Sequence, residues 1–369
     1  MVLTLSIGAG GSPFRPRHVF RFPSRSVNQK KPIRISIGRV VAIAVIVCFA
    51  LSGVSVNAQE SSSKQRAIPR DTSFTLGSTA IKVYKQYPSS KLVEPKLPDG
   101  VVAQENIIYT HYGERELHLD LFSPRDKGKG TYPAVILVHG GGWRSGYRQM
   151  EWPMAQQLAA NGYVTATVDH RLSVEALYPA GIYDLKAAVQ WGRANASRIS
   201  IDSDKIAVYG CSAGGELAAF LGTTGDMKKF EGSSGYPEYS SSVQAVIGVD
   251  GVVDLTAPAE SAKDDDPKKP SAGKSWFGAS FTENPEIWRE ASPINYVDRK
   301  TPPILFINSS LERYHAGRDE MIAQLNKLGI YSEVHTIPDS PHPFWLFHPW
   351  FQPTLEHTLK FLNKTLKGR

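Results

Sequence analysis

The sequence predicts a doubly wound α/β domain, in which a mostly parallel sheet is covered by helices on both faces. Three observations support this fold class. Short, continuous apolar runs alternate along the chain with amphipathic stretches of helical period. Glycine-rich turns directly follow two of the predicted strands. The chain has 369 residues, of which 41% are hydrophobic and 21% charged, so it can bury a large core.

The basic charge of the chain is concentrated at its N-terminus. The formal net charge is +7, and residues 1–58 carry eight Lys and Arg residues but no acidic residue. The rest of the chain therefore contains 34 of the 42 Lys and Arg residues and all 35 acidic residues. Without a basic excess in this larger part, we expect no nucleic-acid partner.

The same N-terminal stretch has the organisation of a secretory signal. A basic region precedes an apolar run at 40–51, and small residues end at Ala58. We therefore predict a signal peptide over residues 1–58, cleaved after Ala58, and a secreted or periplasmic protein. The alternative is a signal anchor, in which the uncharged segment 40–56 stays in the membrane. A membrane partner is expected only in that case.

The next part of the chain precedes the folded domain. Residues 59–104 are polar and contain four prolines, which predicts an extended N-terminal arm. The folded domain is predicted over residues 105–369. It begins with a hairpin around Tyr112-Gly113-Glu114, which is expected to form an antiparallel edge of the sheet.

The remainder of the domain alternates strands and helices. Strands are predicted at 134–138, 163–168, 205–209, 243–249, 304–307 and 331–335, and helices at 150–161, 180–196, 213–221, 319–328 and 354–366. An irregular stretch at about 254–302 interrupts the alternation and predicts a small cap-like insertion. In such sheets the chemistry lies beyond the carboxyl ends of the strands, so the residues that follow the strands are the candidates for a site.

One serine lies in a strand–turn–helix elbow. The strand at 205–209 leads into Gly-Cys-Ser-Ala-Gly-Gly at 210–215 and then into a helix. Small flanking residues permit the strained backbone of such a turn, which places the serine hydroxyl at the active edge of the sheet. Ser212 is therefore the predicted nucleophile, and Cys211 is expected to be a small buried spacer.

A glycine-rich loop, His-Gly-Gly-Gly-Trp at 139–143, follows the first parallel strand. Glycines let backbone N–H groups turn inward, so we predict an oxyanion hole formed by Gly141, Gly142 and Ala213. His139 is expected to hold this loop. Neither the Walker nor the dinucleotide-binding spacing is present, which argues against a phosphate site.

A serine nucleophile needs a histidine base and an acid that orients the histidine. In this topology both follow the serine along the chain. His342 comes after the last predicted strand and is the predicted base, with His348 as the alternative.

These residues resemble the α/β-hydrolase superfamily, and more narrowly the secreted esterases of the bifunctional feruloyl and acetyl-xylan esterase type, which are related to hormone-sensitive-lipase-like esterases. The similarity covers residues 106–366, and the glycine-rich loop and the elbow are its most specific parts. The resemblance implies an α/β-hydrolase fold, with Ser212 as nucleophile and His342 as base. Such chemistry requires no metal and no organic cofactor.

The acid is the point at which the sequence departs from that family. Relatives usually carry His-Gly-x-x-Asp after the seventh strand, whereas residues 308–312 here read Asn-Ser-Ser-Leu-Glu. Spacing from the strand predicts Glu312 as the acid, and spacing from the following helix allows Asp319. Asp250 or Asp254, after the preceding strand, are further alternatives.

The function predicted from these features is that of a secreted serine esterase. It would remove acetyl, or feruloyl, groups from plant cell-wall polysaccharides such as xylan or pectin through an acyl-enzyme. Trp143 and Trp345 are candidate substrate-binding residues, because sugar rings stack on aromatic side chains. The alternatives are a general short-chain carboxylesterase or lipase-like hydrolase, an aminopeptidase-type serine hydrolase, and a non-catalytic binding module of the same fold. The expected partner is a polysaccharide or a small ester.

Overall fold

The computed structural model describes residues 71–126, 130–262 and 270–368. The predicted leader at 1–58 and the beginning of the predicted arm lie outside these residues. Among the described residues, no helix combines the length and the apolar character needed to cross a bilayer.

An eight-stranded sheet forms the framework of the fold. The strands in chain order are β1 Lys91–Leu92, β2 Val101–Tyr112, β3 Arg115–Pro124, β4 Tyr132–Val138, β5 Val164–Val168, β6 Ile201–Cys211, β7 Ala245–Val249, β8 Ile304–Ser309, β9 Ser332–Ile337 and β10 Phe347–His348. The order in the large sheet is β2-β3-β5-β4-β6-β7-β8-β9, while β1 and β10 pair separately. The β2–β3 and β3–β5 pairs are antiparallel and the others are parallel. The predicted strands and the antiparallel hairpin at the edge are thereby confirmed.

Helices cover both faces of this sheet. They are α1 Leu76–Gln86, α2 Trp152–Ala160, α3 Ala180–Ala194, α4 Ala196–Ile199, α5 Ala213–Thr223, α6 Pro258–Ser261, α7 Ala272–Phe277, α8 Pro285–Glu290, α9 Arg318–Leu328 and α10 Phe351–Leu362. Two apolar clusters result. Alternate side chains of β4 enter opposite clusters, so that Ile136 packs with α3 and α5 while Val135 packs with α2 and α10. This two-sided burial explains the continuous apolar runs of the sequence.

The segment before the hairpin differs from the predicted extended arm. Residues 76–86 form the helix α1, which begins with a capping box between Thr75 and Ser78. Val83 of this helix is buried in the same apolar cluster as α2 and α10. The prolines that suggested an extended arm lie outside the helix, so they delimit it rather than interrupt it.

The predicted cap-like insertion contains the short helices α6, α7 and α8 among its described residues. Trp276 of α7 and Trp288 of α8 are almost fully buried and belong to the apolar cluster of α3 and α5. The insertion is therefore packed onto the domain through two large aromatic side chains.

Candidate active site

Strand β6 ends at the elbow that carries Ser212. This residue has φ 54° and ψ −122°, a conformation that is rare for a residue with a side chain. Glycines make room for the elbow, because a Cβ atom on Gly210 would overlap the carbonyl group of Gly214, and one on Gly214 would overlap that of Val138. The elbow thus lies between the ends of β6 and β4, where the strand order reverses and sites of this fold class form.

Ser212 and His342 are brought together, as the sequence predicted. Nε2 of His342 lies 2.8 Å from Oγ of Ser212, and Nδ1 lies 2.9 Å from Oδ2 of Asp250. A carboxylate accepts hydrogen bonds, so Nδ1–H of His342 donates to Asp250. Nε2 is then free to accept the proton of the serine hydroxyl. His348, the alternative base, is exposed on β10.

The acid beside the histidine is Asp250, which corrects the prediction of Glu312. Glu312 begins an exposed 3₁₀ turn after β8, and Asp319 is exposed at the start of α9. Asp254 accepts hydrogen bonds within its own turn. Spacing along the chain favoured Glu312, but the loop after β8 directs this side chain to solvent and not towards His342.

Asp250 is held by donors from the neighbouring strand. It follows β7 with φ 48°, and its side chain has no exposed surface. The backbone N–H of Ser309 donates to Oδ1 at 2.7 Å, and the Ser309 hydroxyl donates to Oδ2 at 2.7 Å. The Asn308 amide lies 3.5 Å from Oδ1. The end of β8 thus supplies the groups that position the carboxylate that follows β7.

Aromatic rings enclose the imidazole of His342. The ring of Tyr314 stacks on it with a centroid distance of 3.6 Å and an interplanar angle of 6°, and Trp345 contacts it edge-on at 5.2 Å. Burial lowers the pKa of His342, and nearby Arg313 lowers it further, while Asp250 and Glu260 act in the opposite direction. The imidazole is therefore neutral near neutral pH and can accept a proton. Nothing in the sequence marked Tyr314 as its neighbour.

The three predicted oxyanion donors line the same cavity as Ser212. Gly141 and Gly142 have φ values of 131° and 58°, which favour glycine. Ala213 is the first residue of α5, so its N–H has no partner within the helix. Backbone N–H groups that follow β4 and β6 therefore lie beside the serine. Their role as oxyanion donors stays a prediction.

Two residues expected to be structural are indeed buried and packed. Sγ of Cys211 lies 3.8 Å from a carboxyl oxygen of Glu151, and burial raises the pKa of the thiol well above its usual range. A protonated, enclosed thiol is not a competing nucleophile. Nδ1–H of His139 donates to the Gly140 carbonyl at 2.8 Å, and its ring stacks on His170. His139 therefore holds the glycine-rich loop.

The two tryptophans predicted to bind substrate are largely packed side chains. Trp143 is 7% exposed, and its indole stacks on Trp276 with a centroid distance of 4.7 Å. Its Nε1–H donates to the buried carboxyl group of Glu216 at 2.9 Å. Trp143 still reaches the cavity wall, whereas Trp345 is 2% exposed and packs against His342. The prediction of a sugar-stacking role for Trp345 is corrected by this burial.

A cavity of about 390 Å³ opens in front of Ser212. The insertion contributes Ala272 and Glu260 to its wall, and the segment before α1 contributes Phe74. Nε–H of Arg313, also on the wall, donates to Glu260 at 2.8 Å. Within the described ranges, no group of three or more His, Cys, Asp and Glu side chains could hold a metal ion. A serine, a histidine and a carboxylate therefore lie in one hydrogen-bonded chain beside this open cavity.

Comparison with known proteins gives one family and several relatives. The family model described as BD-FAE matches residues 119–314, just over half of the chain. Esterase LipC of Mycobacterium tuberculosis is 34% identical over 197 residues, which are 52% of this chain and 47% of LipC. The probable carboxylic ester hydrolase LipM of the same organism is 26% identical over 64% of this chain and 52% of its own length. The chain thus spans about half the length of these curated relatives.

Solved structures extend the likeness to three dimensions. A truncated form of a carbohydrate esterase from gut microbiota superposes with a TM-score of 0.61 at 25% identity, over 74% of this chain and 99% of that one. A bifunctional GH43-CE protein of Bacteroides eggerthii gives a TM-score of 0.63 at 26% identity, over 74% of this chain and 39% of that one. Together with the strand order and the elbow, these likenesses show the predicted α/β-hydrolase fold.

Proposed function

The chain belongs to the BD-FAE family, and from this premise we propose that it is a serine carboxylesterase. Ser212 acts as the nucleophile, His342 as the base and Asp250 as the acid. The observation that carries the proposal is the continuous chain of hydrogen bonds through these three residues, with distances of 2.8 Å and 2.9 Å, beside an open cavity.

In the proposed mechanism Oγ of Ser212 attacks the carbonyl carbon of an ester while Nε2 of His342 takes its proton. Asp250 stabilises the imidazolium that forms. The N–H groups of Gly141, Gly142 and Ala213 bind the oxygen on which negative charge develops. His342 then returns the proton to the departing alcohol, which leaves an acyl-enzyme. Water, activated by the same histidine, releases the acid and restores the serine.

The substrate that we propose is an acetyl, or feruloyl, ester on a plant cell-wall polysaccharide such as xylan or pectin. The family match and the likeness to a gut carbohydrate esterase support this substrate class. Export through the predicted leader at 1–58 would bring the protein to such a substrate, and the alternative is a protein anchored by segment 40–56. N-terminal sequencing of exported protein distinguishes the two, since cleavage exposes residue 59.

A general short-chain carboxylesterase is the second candidate function. It is favoured by the curated relatives, which are described as an esterase and a probable carboxylic ester hydrolase without a carbohydrate substrate. Acetyl release from acetylated xylan and pectin, compared with hydrolysis of p-nitrophenyl esters of increasing acyl length, separates the candidates. A carbohydrate esterase should prefer the acetylated polysaccharide, and a general esterase should prefer the p-nitrophenyl esters.

The esterase class itself is tested with p-nitrophenyl acetate. Ser212→Ala should lower kcat by at least about 10⁴-fold, because the nucleophile is lost. Ser310→Ala, a matched change at an exposed serine, should leave kcat unchanged. Full activity of Ser212→Ala would contradict the mechanism. Failure of a fluorophosphonate probe to label Ser212 in an inactive wild-type protein would instead favour the non-catalytic binding module.

A further inference from the structure

A second cavity, of about 330 Å³, adjoins the one in front of Ser212. Phe74 and His342 line both cavities. One wall of the second cavity is a single face of α1, since the helix residues that line it are spaced at intervals of three and four: Thr79, Lys82, Val83 and Gln86. The opposite wall is the loop around His342, with Pro341 and Pro343.

The segment that leads into α1 is hydrogen-bonded to the residues that directly follow the glycine-rich loop. The backbone N–H of Phe74 donates to Oγ of Ser145 at 3.0 Å, and the same hydroxyl donates to the carbonyl group of Asp71 at 2.8 Å. Nε–H of Arg144 donates to the Asp71 carboxylate at 2.6 Å. Ser145 is 1% exposed, so its side chain lies inside the structure. The α1 wall of the second cavity is thus fixed to the end of the loop that carries Gly141 and Gly142.

The chemistry of ester hydrolysis assigns the two cavities to different halves of the substrate. Gly141, Gly142 and Ala213 line the first cavity, so the carbonyl oxygen and the acyl group belong there. The departing alcohol must receive its proton from His342 and therefore lies on the histidine side of the carbonyl carbon. The second cavity begins at this histidine.

We propose that the second cavity binds the sugar on the alcohol side of the ester, so that α1 supplies the leaving-group subsite. This inference rests on the proposed esterase function. The side chains of Phe74 and Tyr87 offer apolar surface to the face of a sugar ring. Lys82 and Gln86 are exposed on the same helix face and can donate hydrogen bonds to sugar hydroxyl groups.

Narrowing the second cavity tests the assignment. Gln86→Trp places a large side chain on the cavity face of α1, and Lys82→Trp does the same one turn earlier. Ile81→Trp is the matched control, because Ile81 lies on the opposite side of the helix and is 63% exposed. Two acetate esters are compared, ethyl acetate and acetylated xylose, which share the acyl group and differ in the alcohol. Hydrolysis is followed by titration of the released acid.

The inference predicts a selective effect. Gln86→Trp and Lys82→Trp should lower kcat/KM for acetylated xylose by about tenfold, while kcat/KM for ethyl acetate stays within about twofold of wild type. Ile81→Trp should match wild type on both esters. Equal losses on both esters, or no loss on acetylated xylose, would overturn the inference while leaving the esterase function intact. A wild-type protein that hydrolyses neither ester would overturn the proposed function itself.

Discussion

Replacing Asp250 tests the hydrogen-bond chain most directly. In Asp250→Asn the side chain keeps its shape, but one of its two acceptor oxygens becomes an NH₂ donor. One carboxylate position faces Nδ1 of His342 and the hydroxyl of Ser309, and the other faces the backbone N–H of Ser309 and the amide of Asn308. In one orientation the NH₂ faces the backbone N–H of Ser309, which sets a donor against a donor. In the other orientation it faces Nδ1 of His342, which can accept only if the imidazole carries its proton on Nε2.

The expected loss follows from the tautomer of the histidine. If an NH₂ group faces Nδ1, the imidazole carries its proton on Nε2 and can no longer accept the proton of Ser212. The comparable change of aspartate to asparagine in a serine protease triad lowers kcat by about 10⁴-fold. That factor corresponds to about 5 kcal/mol of transition-state stabilisation. The hydrogen bond from the Ser309 N–H is then made to a neutral oxygen and no longer to a carboxylate, so the free energy of unfolding should also fall by about 1 kcal/mol.

Both quantities can be measured on the same proteins. kcat and KM for p-nitrophenyl acetate report catalysis, and urea denaturation reports the free energy of unfolding. Glu312→Gln and Asp319→Asn are matched controls, since each removes one carboxylate from an exposed position, and both should stay within about twofold of wild type. A large loss in Glu312→Gln, or near wild-type kcat in Asp250→Asn, would refute the assignment of the acid.

Two further predictions concern the base His342 and the buried side chain of Trp143. Burial lowers the pKa of His342 below its ordinary value of 6.5, and the neutral imidazole is the active form. The value of kcat/KM should therefore rise with pH through a midpoint below 6.5 and be level near neutral pH. A midpoint above 6.5 in a pH–rate profile would contradict this. Trp143→Phe keeps a ring against Trp276 but removes the donor to Glu216, whose pKa burial raises well above its usual range. The free energy of unfolding should therefore fall by about 1–3 kcal/mol in urea denaturation, and an unchanged value would show that this hydrogen bond contributes nothing.

The parts of the molecule that could be predicted from sequence depend on local patterns. Apolar runs set the parallel strands because these strands are buried on both faces. The elbow and the glycine-rich loop are recognisable because only glycine fits where a backbone passes so close, as at Gly210 and Gly214. His342 follows from its place after the last strand of the sheet. In each case the relevant residues are neighbours in sequence.

The parts that could not be predicted depend on the direction of a loop or on contacts between distant segments. The prediction of the acid is wrong because spacing after β8 does not reveal that Glu312 faces solvent. Tyr314 and Phe74 reach the site through the path of their loops, and no pattern in the sequence marks them. The sequence does not predict the helix α1, because prolines lie on both sides of it and its capping residues are also common in turns.

The pairing of Asp250 with Ser309 also ties the charge of the site to two neighbouring strands. Strands β7 and β8 are adjacent and parallel, so Oδ2 of Asp250 lies between the hydroxyl of Ser309 and Nδ1 of His342. Ser309 provides two donors to this carboxylate, one from its backbone N–H and one from its hydroxyl. The charge that orients His342 thus depends on residues at two adjacent strand ends, and not on the acid alone.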